Sequence, residues 1–78
     1  MYYVLFMRLD LHGIKHEEVT RRIDLFIWEN IQMNTPQIQI VTGNSTPMKN
    51  IVRGCLAEYN LVPYEGYTNS AMLYVDLI

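Results

Sequence analysis

The sequence predicts an α/β (α+β) fold: a two-layer sandwich of order β-α-β-α-β-β, with a four-stranded mixed sheet and both helices on one face. Three observations carry this. Apolar residues change from a strand period to a helical period and back, twice along the chain. Gly13, Asn34-Thr35-Pro36 and Gly43-Asn44-Ser45-Thr46-Pro47 punctuate those changes. Two β-rich segments then follow one another around Thr68-Asn69-Ser70, the pattern of a hairpin. Strand–helix alternation implies parallel neighbours joined by right-handed crossovers, and the final pair closes the sheet.

Each element has its own signal. Tyr2 to Leu11 is rich in β-formers and apolar on both faces, which predicts a strand covered on both sides until Gly13 breaks it. From Lys15 to Met33, Val19, Ile23, Phe26, Ile27 and Asn30/Ile31 form one apolar stripe, with Glu17 and Glu18 in the first turn where acids favour the dipole. Leu25 and Trp28 fall off that stripe and read either as partner-facing or, by preference, as a widening of the apolar face. Gln37 to Thr42 alternates as a short strand. A second helix is expected with Thr46 as N-cap and Pro47 at its first position, carried by Met48, Val52, Cys55, Leu56 and Tyr59 and ending near Tyr59-Asn60. Leu61–Tyr67 and Ala71–Leu77 read as the last two strands, the first starting near an edge because Pro63 cannot donate to a ladder.

Composition bounds the possibilities. Seventy-eight residues predict one compact domain, 1–78. Half of the residues are hydrophobic, too many for disorder. One cysteine, Cys55, excludes an intramolecular disulfide framework and fits a cytoplasmic setting. The apolar start is followed by Arg8 and Asp10 and is far below the ~20 residues of a membrane span. Net charge is −2, yet Arg8, Lys15, Arg21, Arg22, Lys49 and Arg53 all precede residue 54. The predicted topology gathers these cations toward the sheet edge where the helices begin, with the acidic excess elsewhere.

That edge is where ligands bind open α/β sheets. Asp10-Leu11-His12-Gly13 and Thr42-Gly43-Asn44-Ser45-Thr46 would both leave parallel strands there and enter helix N-termini, whose amides favour anions such as phosphate. Asp10 and His12 admit two readings. One is a carboxylate orienting a proton-transferring imidazole; the other is plain turn chemistry, with Asp10 accepting backbone N–H bonds. Gly43 permits close backbone approach, and Lys49 and Arg53 lie one turn apart on the second helix. Arg21 and Arg22 follow Glu17 and Glu18 at i,i+4 and default to solvated helix pairs. His12 and His16 are separated by a helix start and do not read as a metal pair. Cys55 reads as core.

Leu9-Asp10-Leu11-His12-Gly13, followed by Glu17-Glu18-Val19, resembles the Leu-Asp-Leu-His-Gly signature of the Smr (small MutS-related) domain family. Thr42-Gly43-Asn44-Ser45 stands where that family carries a Thr-Gly-x-Gly turn, and Met48-Lys49-Asn50-Ile51-Val52 is similar to its Leu-Arg-x-x-Val helix. The resemblance spans almost the whole chain. It implies the same β-α-β-α-β-β fold, binding of DNA or RNA, and in many members endonuclease activity. It attaches importance to Asp10 and His12, to Thr42, Gly43 and Asn44, and to Lys49. Two departures stand out. Ser45 replaces the second glycine, which puts the loop's backbone conformation in question, and Lys15 sits where Ser or Thr would cap the first helix.

The expected function is an Smr-like endonuclease domain cleaving phosphodiester bonds. Asp10 and His12 are the expected catalytic pair, with Gly13, Lys15, Thr42, Gly43, Asn44, Ser45, Lys49 and Arg53 binding nucleic acid or phosphate. No cofactor is certain; a divalent cation, Mg or Mn, is the one left open. One site carboxylate under-supplies a two-metal mechanism, whereas cleavage of RNA through its 2′-hydroxyl fits the inventory. The alternatives are an inactive nucleic-acid- or phosphate-binding module, and a small homodimeric interaction protein using Tyr2, Tyr3, Trp28 or the edge strands.

Overall fold

A computed structural model describes residues 7–67 and 69–77. The expected strand residues Tyr2–Phe6, and with them Tyr2 and Tyr3 as contact residues, lie outside that range. The elements are β1 (Arg8–Asp10), α1 (His16–Gln32), β2 (Gln37–Val41), α2 (Thr46–Ala57), β3 (Tyr64–Glu65) and β4 (Met72–Asp76). The sheet order is β1-β2-β4-β3, with β1 parallel to β2 and both other pairs antiparallel. The predicted mixed sheet of four strands is therefore present among the described residues, with the expected element order.

Alternation places one face of the sheet in the core. Ile38 and Ile40 pair with Val75 and Leu73, and all four are fully buried together with Val19, Ile23 and Ile27 of α1 and Val52 and Leu56 of α2. The opposite face is polar at Arg8, Gln37, Gln39 and Asp76. Arg8 donates to Gln39 Oε1 from Nε at 3.1 Å and from Nη2 at 3.0 Å. Arg8 and Asp10 are exposed and Leu9 is half-buried, so the described part of β1 is not covered on both sides as expected. The charged side chains keep that face in water.

Both helices pack on the core face and on each other. Cys55 Sγ lies 3.4 Å from Thr20 Oγ1, and the Tyr59 hydroxyl donates to Asp24 Oδ1 at 2.9 Å. Asn34 and Asn60 adopt positive φ of 58° and 59° and end the two helices. The following amides close them, Thr35 N–H to Asn30 O and Leu61 N–H to Leu56 O, each at 3.0 Å.

Several boundaries differ from the sequence reading. The N-cap of α2 is Ser45, not Thr46: its hydroxyl accepts from Met48 N–H at 3.2 Å, which moves Thr46 and Pro47 into the first turn. Leu25 and Trp28 are 58% and 62% exposed, so they do not widen the buried face. Ile31 and Tyr59 are also exposed. They lie at the margins of their stripes, where packing ends before hydrophobicity does. β3 has two residues rather than seven, because only Tyr64 and Glu65 find partners, Tyr74 and Leu73, on β4. No described helix is long and apolar enough to cross a membrane.

Candidate nucleic-acid interface

Strand register brings the two loops together. Arg8, Leu9 and Asp10 face Gln39, Ile40 and Val41, an offset of 31 positions. Leu11 N–H continues the ladder to Val41 O at 2.8 Å, and Leu11 is fully buried. The same offset carried forward sets His12 opposite Gly43. A Cβ on Gly43 would lie 3.4 Å from His12 Cδ2. The imidazole therefore rests against the bare backbone of the second loop, with its remaining surface exposed to solvent.

The first loop is built as a turn. Asp10 Oδ1 accepts the His12 backbone N–H at 2.9 Å, and Ile14 N–H reaches back to Leu11 O at 3.0 Å. Gly13, at φ +81°, supplies the left-handed residue the turn needs. Of the two readings of Asp10 and His12, this geometry realises the turn: the carboxylate fixes the backbone that carries the ring and makes no hydrogen bond to the ring itself. Lys15 is the N-cap of α1 with extended backbone and no side-chain cap bond.

The second loop is held from behind by a segment that the sequence marked as a hairpin turn and the start of the last strand. Thr42 N–H and Gly43 N–H both donate to Ala71 O, at 2.9 and 3.1 Å. Asn44 Oδ1 accepts from Ser70 Oγ at 3.3 Å, and Asn69 Oδ1 accepts the Ala71 N–H at 3.0 Å. Asn69, Ser70 and Ala71 thus support the site, which only the antiparallel register of β2 and β4 reveals. Thr42 is buried, its hydroxyl donating inward to Gly43 O at 2.8 Å, so it shapes the loop rather than facing solvent. Gly43 has φ +67°. Ser45 has φ −79° and ψ 113°, an ordinary extended conformation, so the position does not require glycine. Among the described residues the amides of Asn44 and Thr46 have no intramolecular acceptor.

Lys49 and Arg53 meet Glu65. Around α2 they lie ~240° and ~200° from Cys55, which faces α1, at ~100° per residue. They point toward β3, where Lys49 Nζ lies 3.4 Å and Arg53 Nη2 3.5 Å from one oxygen, Oε2 of Glu65. Arg22 pairs with Glu18 at 3.8 Å within α1. The acidic excess is thus not wholly elsewhere as expected: Glu65, far along the chain, is delivered to the two α2 cations by its edge strand.

Asp10 offers a carboxylate and His12 an imidazole to a metal ion. Among the described residues, no three His, Cys, Asp or Glu side chains converge on a position where they could share one. The donor set does not form a protein-built Mg or Mn centre, so no chemical step is derived through one.

The fold and this edge define a two-layer α/β domain with paired loops at the ends of parallel strands, the arrangement suited to phosphate-bearing ligands. The family model of the Smr domain matches residues 9–77, and the chain belongs to that family. Members generally bind nucleic acids, and some are nicking endonucleases. The structure is similar to that of YdaL, a stand-alone small MutS-related protein from Escherichia coli, with a TM-score of 0.71 and 21% identity. The match covers 92% of this chain and 64% of the YdaL chain, a likeness of fold. No curated protein matches the sequence.

Proposed function

We propose that this chain is a nucleic-acid-binding domain that cleaves phosphodiester bonds at the His12–Gly43 contact. The observation that carries the reading is the convergence of the two motif loops, an exposed imidazole resting on the loop whose amides open α2. The amides of Asn44 and Thr46 would take phosphate oxygens, with Ser45 between them, and the dipole of α2 favours that charge. Gly13 and Lys15 border the same edge in the loop that leads into α1. Lys49 and Arg53 would contact backbone phosphates farther along the strand, across the start of α2 from His12.

His12 moves the proton. Its free imidazole nitrogen takes the hydrogen of the attacking oxygen, the 2′-hydroxyl of RNA or a water on DNA. That oxygen bonds to phosphorus as the bond to the leaving oxygen breaks. The leaving oxygen, on the far side of phosphorus in an in-line displacement, takes its proton from solvent, and the imidazolium releases its own to water. Asp10 is a positioning residue, because its hydrogen bond holds the His12 backbone in the turn that sets the ring on Gly43.

The test is incubation with end-labelled RNA and with supercoiled plasmid, each with and without EDTA. Cleavage by the wild type that falls ~10²-fold or more in His12→Ala is the expected result. An intact substrate, or equal cleavage by His12→Ala, overturns the catalytic part. Salt-dependent binding without cleavage would leave an inactive binding module.

A further inference from the structure

We propose that Glu65 is a built-in competitor for phosphate: it occupies the Lys49–Arg53 pair and sets how strongly the interface holds nucleic acid. The inference rests on the nucleic-acid reading above and deepens it. One carboxylate oxygen bridges both cations, as a phosphate oxygen would, at 3.4 Å from Lys49 Nζ and 3.5 Å from Arg53 Nη2. The Lys49 side chain is only 12% exposed and its ammonium faces the Glu65 carboxylate, so an anion on that side of Lys49 competes with Glu65. Lys49 and Arg53, one turn apart, present both charges on one flank.

The fold, not the local sequence, makes this contact. β3 pairs Glu65 with Leu73, a core-facing residue, and thereby turns the Glu65 side chain to the helix side of the sheet. The next residue fixes the backbone. A Cβ on Gly66 would lie 2.7 Å from Tyr74 Cε2 and 3.3 Å from Asn69 O, so the chain passes close beneath the tyrosine ring here and a larger residue would have to displace that ring. The backbone that carries the carboxylate is thus held by the strand pairing of Glu65 with Leu73.

Glu65 and Arg53 remain about two-fifths exposed, and water-exposed pairs of this kind are weak and exchange readily. A bound strand would exchange one anion for another at Lys49 and Arg53, gaining little from either cation. Without Glu65 both charges become available to phosphates, and each new contact steepens the salt dependence.

The test is fluorescence anisotropy of labelled single-stranded RNA and DNA over a salt series with wild type, Glu65→Gln, Glu65→Ala and Glu58→Gln. Glu58 is exposed at the far end of α2, so its variant removes the same charge without freeing the cations. Both Glu65 variants should bind about fivefold tighter at low salt, with a log–log salt slope steeper by ~0.7 or more. Glu58→Gln should stay within about twofold of wild type, since a distant exposed charge is screened. Binding by the Glu65 variants alone would also support the proposal. Wild-type binding that the Glu65 variants do not improve, or that Glu58→Gln improves equally, overturns the competitor and leaves the nucleic-acid reading standing. Absence of binding by every protein overturns both.

Discussion

The imidazole of His12 lies on the backbone of Gly43, 3.4 Å from where a Cβ would stand. Two motifs separated by a whole helix meet there because the parallel register of β1 and β2 extends past the last paired residues. Gly43 is required for its conformation, at φ +67°, more than for space, since 3.4 Å is ordinary van der Waals contact. Gly43→Ala should therefore destabilise the protein by ~1–2 kcal/mol, the cost of the left-handed region. Asn tolerates that region better, so Gly43→Asn should cost less. Urea denaturation of the three proteins checks the order.

Asp10→Asn separates the charge of Asp10 from its turn geometry. The amide oxygen of Asn can accept the His12 N–H as Asp10 Oδ1 does at 2.9 Å. If Asp10 acts by positioning, Asn at this site should retain most cleavage, while Asp10→Ala lowers it and costs ~0.5–1.5 kcal/mol of stability. Equal loss in both variants would show that the carboxylate charge is needed. Cleavage rates paired with thermal melts give the answer.

The two helices begin differently, and their caps should respond in opposite directions. Ser45 accepts from Met48 N–H, so Ser45→Ala should destabilise by ~1 kcal/mol and Ser45→Gly by only a few tenths. Lys15 makes no side-chain cap bond and puts a positive charge at the positive end of α1. Lys15→Ser should stabilise by ~1 kcal/mol. Differential scanning calorimetry would show these as shifts of ~4–8 °C per kcal/mol for a domain of this size.

Tyr59 ties α2 to α1 through its hydrogen bond to Asp24, and that bond holds its phenol above the ordinary value of 10.0. Partial burial and the Asp24 charge act in the same direction. The native state therefore keeps this proton more tightly than the unfolded chain does. The stabilisation is fully present below pH 10.0 and is lost as pH rises through the native value. The stability difference between wild type and Tyr59→Phe should accordingly shrink above that pH. A constant difference across the range would show that the bond does not form in solution.

Local residue chemistry made much of this legible. The stripe of Val19, Ile23, Phe26 and Ile27, the alternation of Ile38 and Ile40, and the breaks at Gly13 and Pro36 each act within a few residues. They marked the core faces of α1 and β2 correctly. The Asp10–His12 turn was legible as one of two readings, since its hydrogen bond spans two residues. Ser45 and Thr46 are both competent caps of α2 by residue type, and the hydrogen bond from Met48 N–H to the Ser45 hydroxyl selects Ser45.

The sequence by itself determined the order of elements, the buried stripes and the identity of the two motif loops, because periodicity and turn chemistry are local. Tertiary structure decided what stands beside those loops. Pairing with β4 put Ala71 behind Gly43, and pairing with β3 carried Glu65 to Lys49 and Arg53. Those contacts join residues 28 and 16 or 12 positions apart, respectively. Strand register fixes them, and no short stretch of residues encodes register on its own.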